Sequence, residues 1–289
     1  MQPRSYLIIS AWVLSLALSF IEAIPALSTE RIASVLLAKD SLTAPNQPVT
    51  IEARLVSRGI GGDTGLGGEP IELVIANTVV ATGMTGGDGK VFLSYTPKGK
   101  GVFSLHVKVG NSPRVAPTEA EANLFVWERR NPILVVELAA VMEEAPSGGP
   151  LGALMRAGLS QRKPLPDAAD ELGKLTQFYY RALYVMSSSS GADPFRLNVE
   201  ARDWLKKHDF PSGYVIVLPS REDMLGAKID EWQNDGWKTI KTGIVRSKEF
   251  AESFLRRRLD AVMVPEPSKG EVPRKAKVAK EWKEIRKHL

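Results

Sequence analysis

The spacing of apolar residues changes near residue 130, and this change constrains the fold more than any other feature of the chain. Upstream, short β-prone runs occupy residues 48–57 (PVTIEARLVS), 70–82, 89–96, 101–109 and 122–127. In the first of them Val49, Ile51, Ala53 and Leu55 alternate with Thr50, Glu52 and Arg54, as in a strand with one buried face. Phe103, Leu105, Val107 and Val109 repeat the alternation. Downstream of Asn131, apolar runs at 133–141, 182–187, 213–219, 237–243 and 260–265 are separated by helical patterns at 167–180, 195–208, 223–235 and 247–258. One layer arrangement does not accommodate both patterns, so two domains are expected, at 32–128 and 132–289.

The first pattern predicts an all-β, immunoglobulin-like sandwich, with Gly86-Gly87-Asp88-Gly89 supplying a tight turn. The stretch GGEPIELVIANTVVATGMTGGDGKVFLSYTPKGKGVFSLHVKV resembles bacterial immunoglobulin-like modules. The glycine-rich segment 59–68 precedes a strand rather than opening a helix, so it reads as a hairpin loop and not as a phosphate cradle. The second pattern predicts an α/β domain with a parallel sheet covered on both faces. Ligands of such folds sit beyond the carboxyl ends of the strands, which directs attention to the residues following each apolar run.

Residues 1–28 carry Arg4 and then an uncharged apolar run from Tyr6 to Phe20. The run is shorter than the roughly 20 residues a spanning helix needs and reads as an export signal, cleaved after Ala23 or Ser28, or retained as an N-terminal anchor. The remainder is then periplasmic or held on the outer side of the membrane. The chain has no cysteine, which excludes disulfides, thiolate catalysis and cysteine-based metal sites. The net charge of +5 is confined to residues 268–289, where eight Lys and Arg face three Glu, so the rest of the chain is neutral and no nucleic-acid partner is expected. Val278, Trp282, Ile285 and Leu289 fall on one stripe of a helix and Lys280, Lys283 and Lys287 on another. A basic amphipathic C-terminal helix is predicted, docked on its own domain or placed against an anionic lipid surface.

ILVVELAAV resembles the first strand of haloacid-dehalogenase (HAD) superfamily phosphatases, and ARDWLKKHDFPSGYVIVLP resembles the helix, turn and strand after the second motif of their lipin-like phosphatidate phosphatase branch. The resemblance spans residues 132–265, and WLKKHDFPSG (Trp204 to Gly213) is its most specific piece. It implies a nucleophilic Asp that also holds Mg²⁺, and an acid/base Asp two residues later; here these places hold Glu137 and Ala139. Glutamate extends the carboxylate by about 1.5 Å, and a misplacement of about 1 Å already costs on the order of 10²-fold in rate. The resemblance further implies phosphate binding by Ser187 or Ser188 and by Lys228, and metal ligands after the fourth strand, where Gly243, Ile244 and Glu249 were matched.

The degenerate pattern points to a non-catalytic binding or scaffolding module of the cell envelope. Such a module recognises phosphate or phospholipid headgroups, or contacts an envelope protein partner, and needs no cofactor. The alternative is a Mg²⁺-dependent lipid or small-molecule phosphatase, with Glu137 as altered nucleophile and Glu137 and Glu249 on the metal.

Overall fold

The computed structural model describes residues 31–59, 62–144, 158–188, 191–268 and 270–289. The N-terminal segment read as a signal or anchor lies outside them, as does most of the loop after Glu144. Among the described residues no helix is long and apolar enough to cross a membrane.

Among the described residues nine strands form the first domain: β1 (Val35–Ala38), β2 (Ser41–Thr43), β3 (Val49–Gly59), β4 (Gly62–Gly65), β5 (Pro70–Ile75), β6 (Thr78–Met84), β7 (Lys90–Tyr95), β8 (Gly101–Val109) and β9 (Glu119–Val126). In one sheet β3 pairs antiparallel with β1, β4 and β7. The other runs β2-β9-β8-β5-β6, with β2 parallel to β9. The alternating residues meet between the sheets, where Ile51, Leu55, Ile71, Leu73, Leu93, Leu105 and Leu124 are buried. Consecutive strands β1 and β2 lie in different sheets, so the chain crosses the sandwich between them. This two-sheet antiparallel core is immunoglobulin-like.

The second domain contains β10 (Ile133–Glu137), α1 (Ala168–Thr176), β11 (Arg181–Ser188), α2 (Pro194–Lys207), β12 (Gly213–Pro219), α3 (Met224–Asn234), β13 (Ile240–Val245), α4 (Lys248–Arg256), β14 (Asp260–Met263) and β15 (Lys277–Val278). All six strands are parallel, in the order β12-β11-β10-β13-β14-β15. The order reverses on either side of β10, so the switch point lies at that strand's carboxyl end. Leu134 and Val136 face α1, α2 and the C-terminal segment, whereas Ile133 and Val135 face α3 and α4. Phe125 and Trp127, at the end of the sandwich, enter this second cluster, so the domains share a core.

The structure corrects four sequence expectations. The run 70–82 is a hairpin, not one strand: Ala76 and Asn77 turn with φ of 47° and 63°, the positive pair a two-residue turn requires. Part of the glycine loop is β4, laid so close to the Gly86–Gly89 turn that a Cβ on Gly65 would stand 2.3 Å from the Asp88 carbonyl oxygen. The fourth α/β strand starts at Ile240 rather than Trp237, because Trp237 packs into the core ahead of it.

The C-terminal helix is the fourth correction. Lys277 and Val278 form edge strand β15, and only Trp282–Lys287 coil, as a 3₁₀ turn. Trp282 and Ile285 are buried, and the Trp282 Nε1–H donates to the Ala140 carbonyl at 2.9 Å. Strand pairing and burial of the tryptophan outweigh the helical spacing of four residues, and the apolar stripe docks on its own domain.

Candidate active site at the strand ends

Glu137 is the last residue of β10, and its side chain is 7% exposed. Oε2 accepts hydrogen bonds from the backbone N–H groups of Arg246 (2.7 Å) and Ser247 (2.9 Å), where β13 passes into α4. Burial pushes the carboxyl above its ordinary range, the Ser247 and Arg246 bonds oppose that shift, and the charge of Glu249 adds to it. Glu137 thus serves as a clasp between neighbouring strand ends.

The Arg246 guanidinium folds back over the same place. Nη1 donates to the carbonyls of Ala139 (3.3 Å) and Met142 (2.9 Å), and Nη2 pairs with Glu144 at 2.7 Å. Arg246 follows directly on β13, at the strand exit where the resemblance implies a metal ligand. The match to Gly243 and Ile244 is therefore displaced. Gly243 pairs with Val135 and Ile244 with Val136, both within the sheet, and a Cβ on Gly243 would lie 2.4 Å from the Phe254 ring. Hydropathy placed the strand too early, which moved its exit by two residues. Arg246 lies three residues beyond the expected strand end at Gly243, so hydropathy did not mark it as the exit residue.

The other expected residues are only partly brought together. Glu249, in the first turn of α4, is exposed and close enough to influence Glu137. Ser187 and Ser188 end β11, beyond the pairing of Val185 with Glu137; Ser187 is exposed and Ser188 half-buried. Ala139 is exposed in the turn after Glu137 and supplies no proton-transfer group. Lys228 does not join them. It lies on α3 beside β12, two strands from β10, its Nζ bonded to Glu231 at 2.5 Å and 5.5 Å from the Trp232 ring. The Trp204–Gly213 segment is structural. Trp204 stacks on Phe210 at 5.3 Å and its Nε1–H donates to Arg162, while the Pro211 carbonyl accepts from the Tyr184 hydroxyl.

Mg²⁺ wants several oxygen ligands in a near-octahedral set. Among the described residues no three of His, Asp and Glu are grouped so as to hold a metal ion. Glu137 Oε2 is engaged by two N–H donors, and a cation already occupies the strand exit. The residues present do not fit the metal.

If Glu137 is a clasp, Glu137→Gln retains an acceptor oxygen while removing a buried charge, and stability at pH 7 should stay level or rise by about 1 kcal/mol. Glu137→Ala strands two N–H groups and should cost about 2–4 kcal/mol by urea unfolding. Because the folded carboxyl lies above its ordinary 4.5, ionisation removes stability as pH rises through the folded value, and the Gln variant should lack that slope.

A two-sheet β-sandwich followed by a doubly wound, parallel-sheet α/β domain is thus the class of architecture present. No family model and no curated protein matches the chain. Among solved structures, D,D-heptose 1,7-bisphosphate phosphatase from B. bronchiseptica, complexed with magnesium and phosphate, is similar at 10% identity with a TM-score of 0.42, covering 54% of this chain and 96% of its own. The CARDB domain of a Pyrococcus furiosus protein in complex with di-metal ions matches at 16% identity with a TM-score of 0.24, over 33% of this chain and 86% of its own. The D00-D0 domain of intimin matches at 17% identity with a TM-score of 0.25, over 33% of this chain and 48% of its own.

Proposed function

We propose that this chain is an exported, non-catalytic binding or scaffolding module of the cell envelope, built on a phosphatase-like domain. The observation that carries the reading is the Arg246 guanidinium at the β13 exit, bonded to two carbonyls and Glu144 where the reaction needs a hard cation. With Glu137 held by backbone donors and alanine at position 139, the nucleophile, the proton donor and the metal ligand are each replaced. Export rests on residues 1–28 and agrees with the absence of cysteine. The lipin-like assignment rests on Trp204–Gly213, which shapes the domain without taking part in chemistry. Phosphate held jointly by Ser187, Ser188 and Lys228 is not favoured, because Lys228 is turned to Glu231. A protein partner in the envelope is the reading that remains.

The test is Mg²⁺-dependent phosphate release by the purified full chain from an aryl phosphate and from phosphatidate. Release at the buffer rate is expected with both substrates. Turnover abolished by Glu137→Gln would overturn the reading and reinstate a phosphatase with an altered nucleophile.

A further inference from the structure

The first domain faces α2 across a cleft of about 900 Å³, bordered by β1, the amino-terminal half of β9 and one side of the helix. Two of its four cations are engaged. Arg202 pairs with Asp40 at 3.0 Å, and Arg196 pairs with Asp63. Its carboxylates are not. Among the described residues Glu119 and Glu121 on β9, Glu200 on α2 and Asp209 just beyond it form no ion pair. Asp203 has only a 3.9 Å contact with Arg202, which leaves Arg58 and Lys206 as the cations of the lining without such a partner. The cleft is acidic, although the whole chain carries +5.

The same stretch of β9 has an open edge. β8 pairs with it along its whole length, but on the other side β2 pairs only with Leu124–Val126. Ile32 meets the chain again at Val115, and between these two points the N-terminal strand leaves to pair with β3. The backbone N–H of Asn123 points to this open side, where Asp40 Oδ1 accepts it at 2.8 Å. With the period of two along a strand, the N–H and C=O groups of Glu121 and Glu119 face the same way.

We infer that this cleft is a docking site for an extended, cationic polypeptide segment of a partner protein. The main chain of the segment would pair with the free edge at Glu119–Glu121, and its Lys or Arg side chains would meet Glu119 and Glu121 on one wall and Glu200 on the other. Exposed carboxylates alone would accept any polycation. The row of backbone donors and acceptors adds a requirement that a peptide meets and a polyamine does not. Outside residues 268–289 the chain is neutral, so attraction of a cationic peptide has to be local to the cleft. The inference rests on the binding-module reading above and gives it a site and a partner chemistry.

Fluorescence anisotropy with a labelled decapeptide of alternating lysine and valine, titrated with the full chain in dilute buffer, tests it. Saturable binding is expected, lost in about 0.5 M salt. The peptide with glutamate for lysine should not bind, nor should one N-methylated at alternate amides. Glu119→Lys with Glu121→Lys on one wall, and Glu200→Lys on the other, should each weaken binding by about tenfold or more. Absence of binding by the lysine peptide would overturn the inference, as would binding that survives both charge reversals or the N-methylation. Phosphate release, measured on the same preparation, separates the two claims: turnover would remove the non-catalytic reading and leave the peptide result to stand or fall alone.

Discussion

Arg202→Met is expected to cost about 3–5 kcal/mol at pH 7, because it leaves the Asp40 carboxylate buried without a counter-charge. The Asp40 side chain is 1% exposed and that of Arg202 15%. Oδ1 accepts from Arg202 and from the Asn123 N–H, while the Asp40 N–H donates to Asn198 Oδ1, whose amide donates in turn to Val215 at 2.9 Å. Sandwich, helix and parallel sheet are thereby tied through one group. Asp40 Oδ2 has no hydrogen-bond partner, so without the guanidinium only the Asn123 N–H faces the buried charge.

Burial raises the Asp40 carboxyl above its ordinary 3.8, and Arg202 pulls against that shift. For an acid raised on folding, the stabilising contribution is complete below the unfolded value and is lost as pH rises through the folded one. Removing Arg202 raises the folded value further. The deficit of Arg202→Met should therefore be largest at neutral pH and shrink as pH falls towards 4. Urea unfolding at the two pH values reads this directly. Adding Asp40→Asn should restore most of the loss at pH 7, and an equal deficit at both pH values would refute the account.

Trp282→Ala should cost a similar amount, about 3–5 kcal/mol, for a different reason. The indole is 1% exposed and packs with Ile285 in the cluster that includes Leu134, Val136 and Val262. Its removal opens a cavity and leaves the Ala140 carbonyl without its donor. Lys280→Gln, on the exposed side of the same segment, should change stability by no more than about 0.5 kcal/mol. A segment whose role was adhesion to lipid would show the opposite ranking: Lys280→Gln would weaken vesicle binding, and Trp282→Ala would barely alter unfolding.

Features that repeat within a few residues were legible in the sequence. The alternation in Val49–Leu55 and Phe103–Val109 identified inward faces, and the strand–helix rhythm after Asn131 implied parallel pairing. Elements of three or four residues, such as β1, β2 and β4, carry too few repeats to show a period. The turn at Ala76-Asn77 was hidden because alanine rarely adopts positive φ. At the site, Glu137 was recognisable from the residues around it. Arg246 was not, since its significance depends on where β13 ends, and a buried Trp237 imitated strand hydropathy. The pairing of Asp40 with Arg202 spans 162 positions and leaves no local trace in the chain.

The core that Phe125 and Trp127 share with Ile133, Val135 and Trp237 bears on how any ligand would be received. β9 and α2 belong to different domains, yet they cannot swing apart without tearing aromatic side chains out of a common interior. The crevice between them is consequently preorganised. Association there would proceed without a closing step, and the rotational freedom lost would be that of the incoming segment rather than of the receptor.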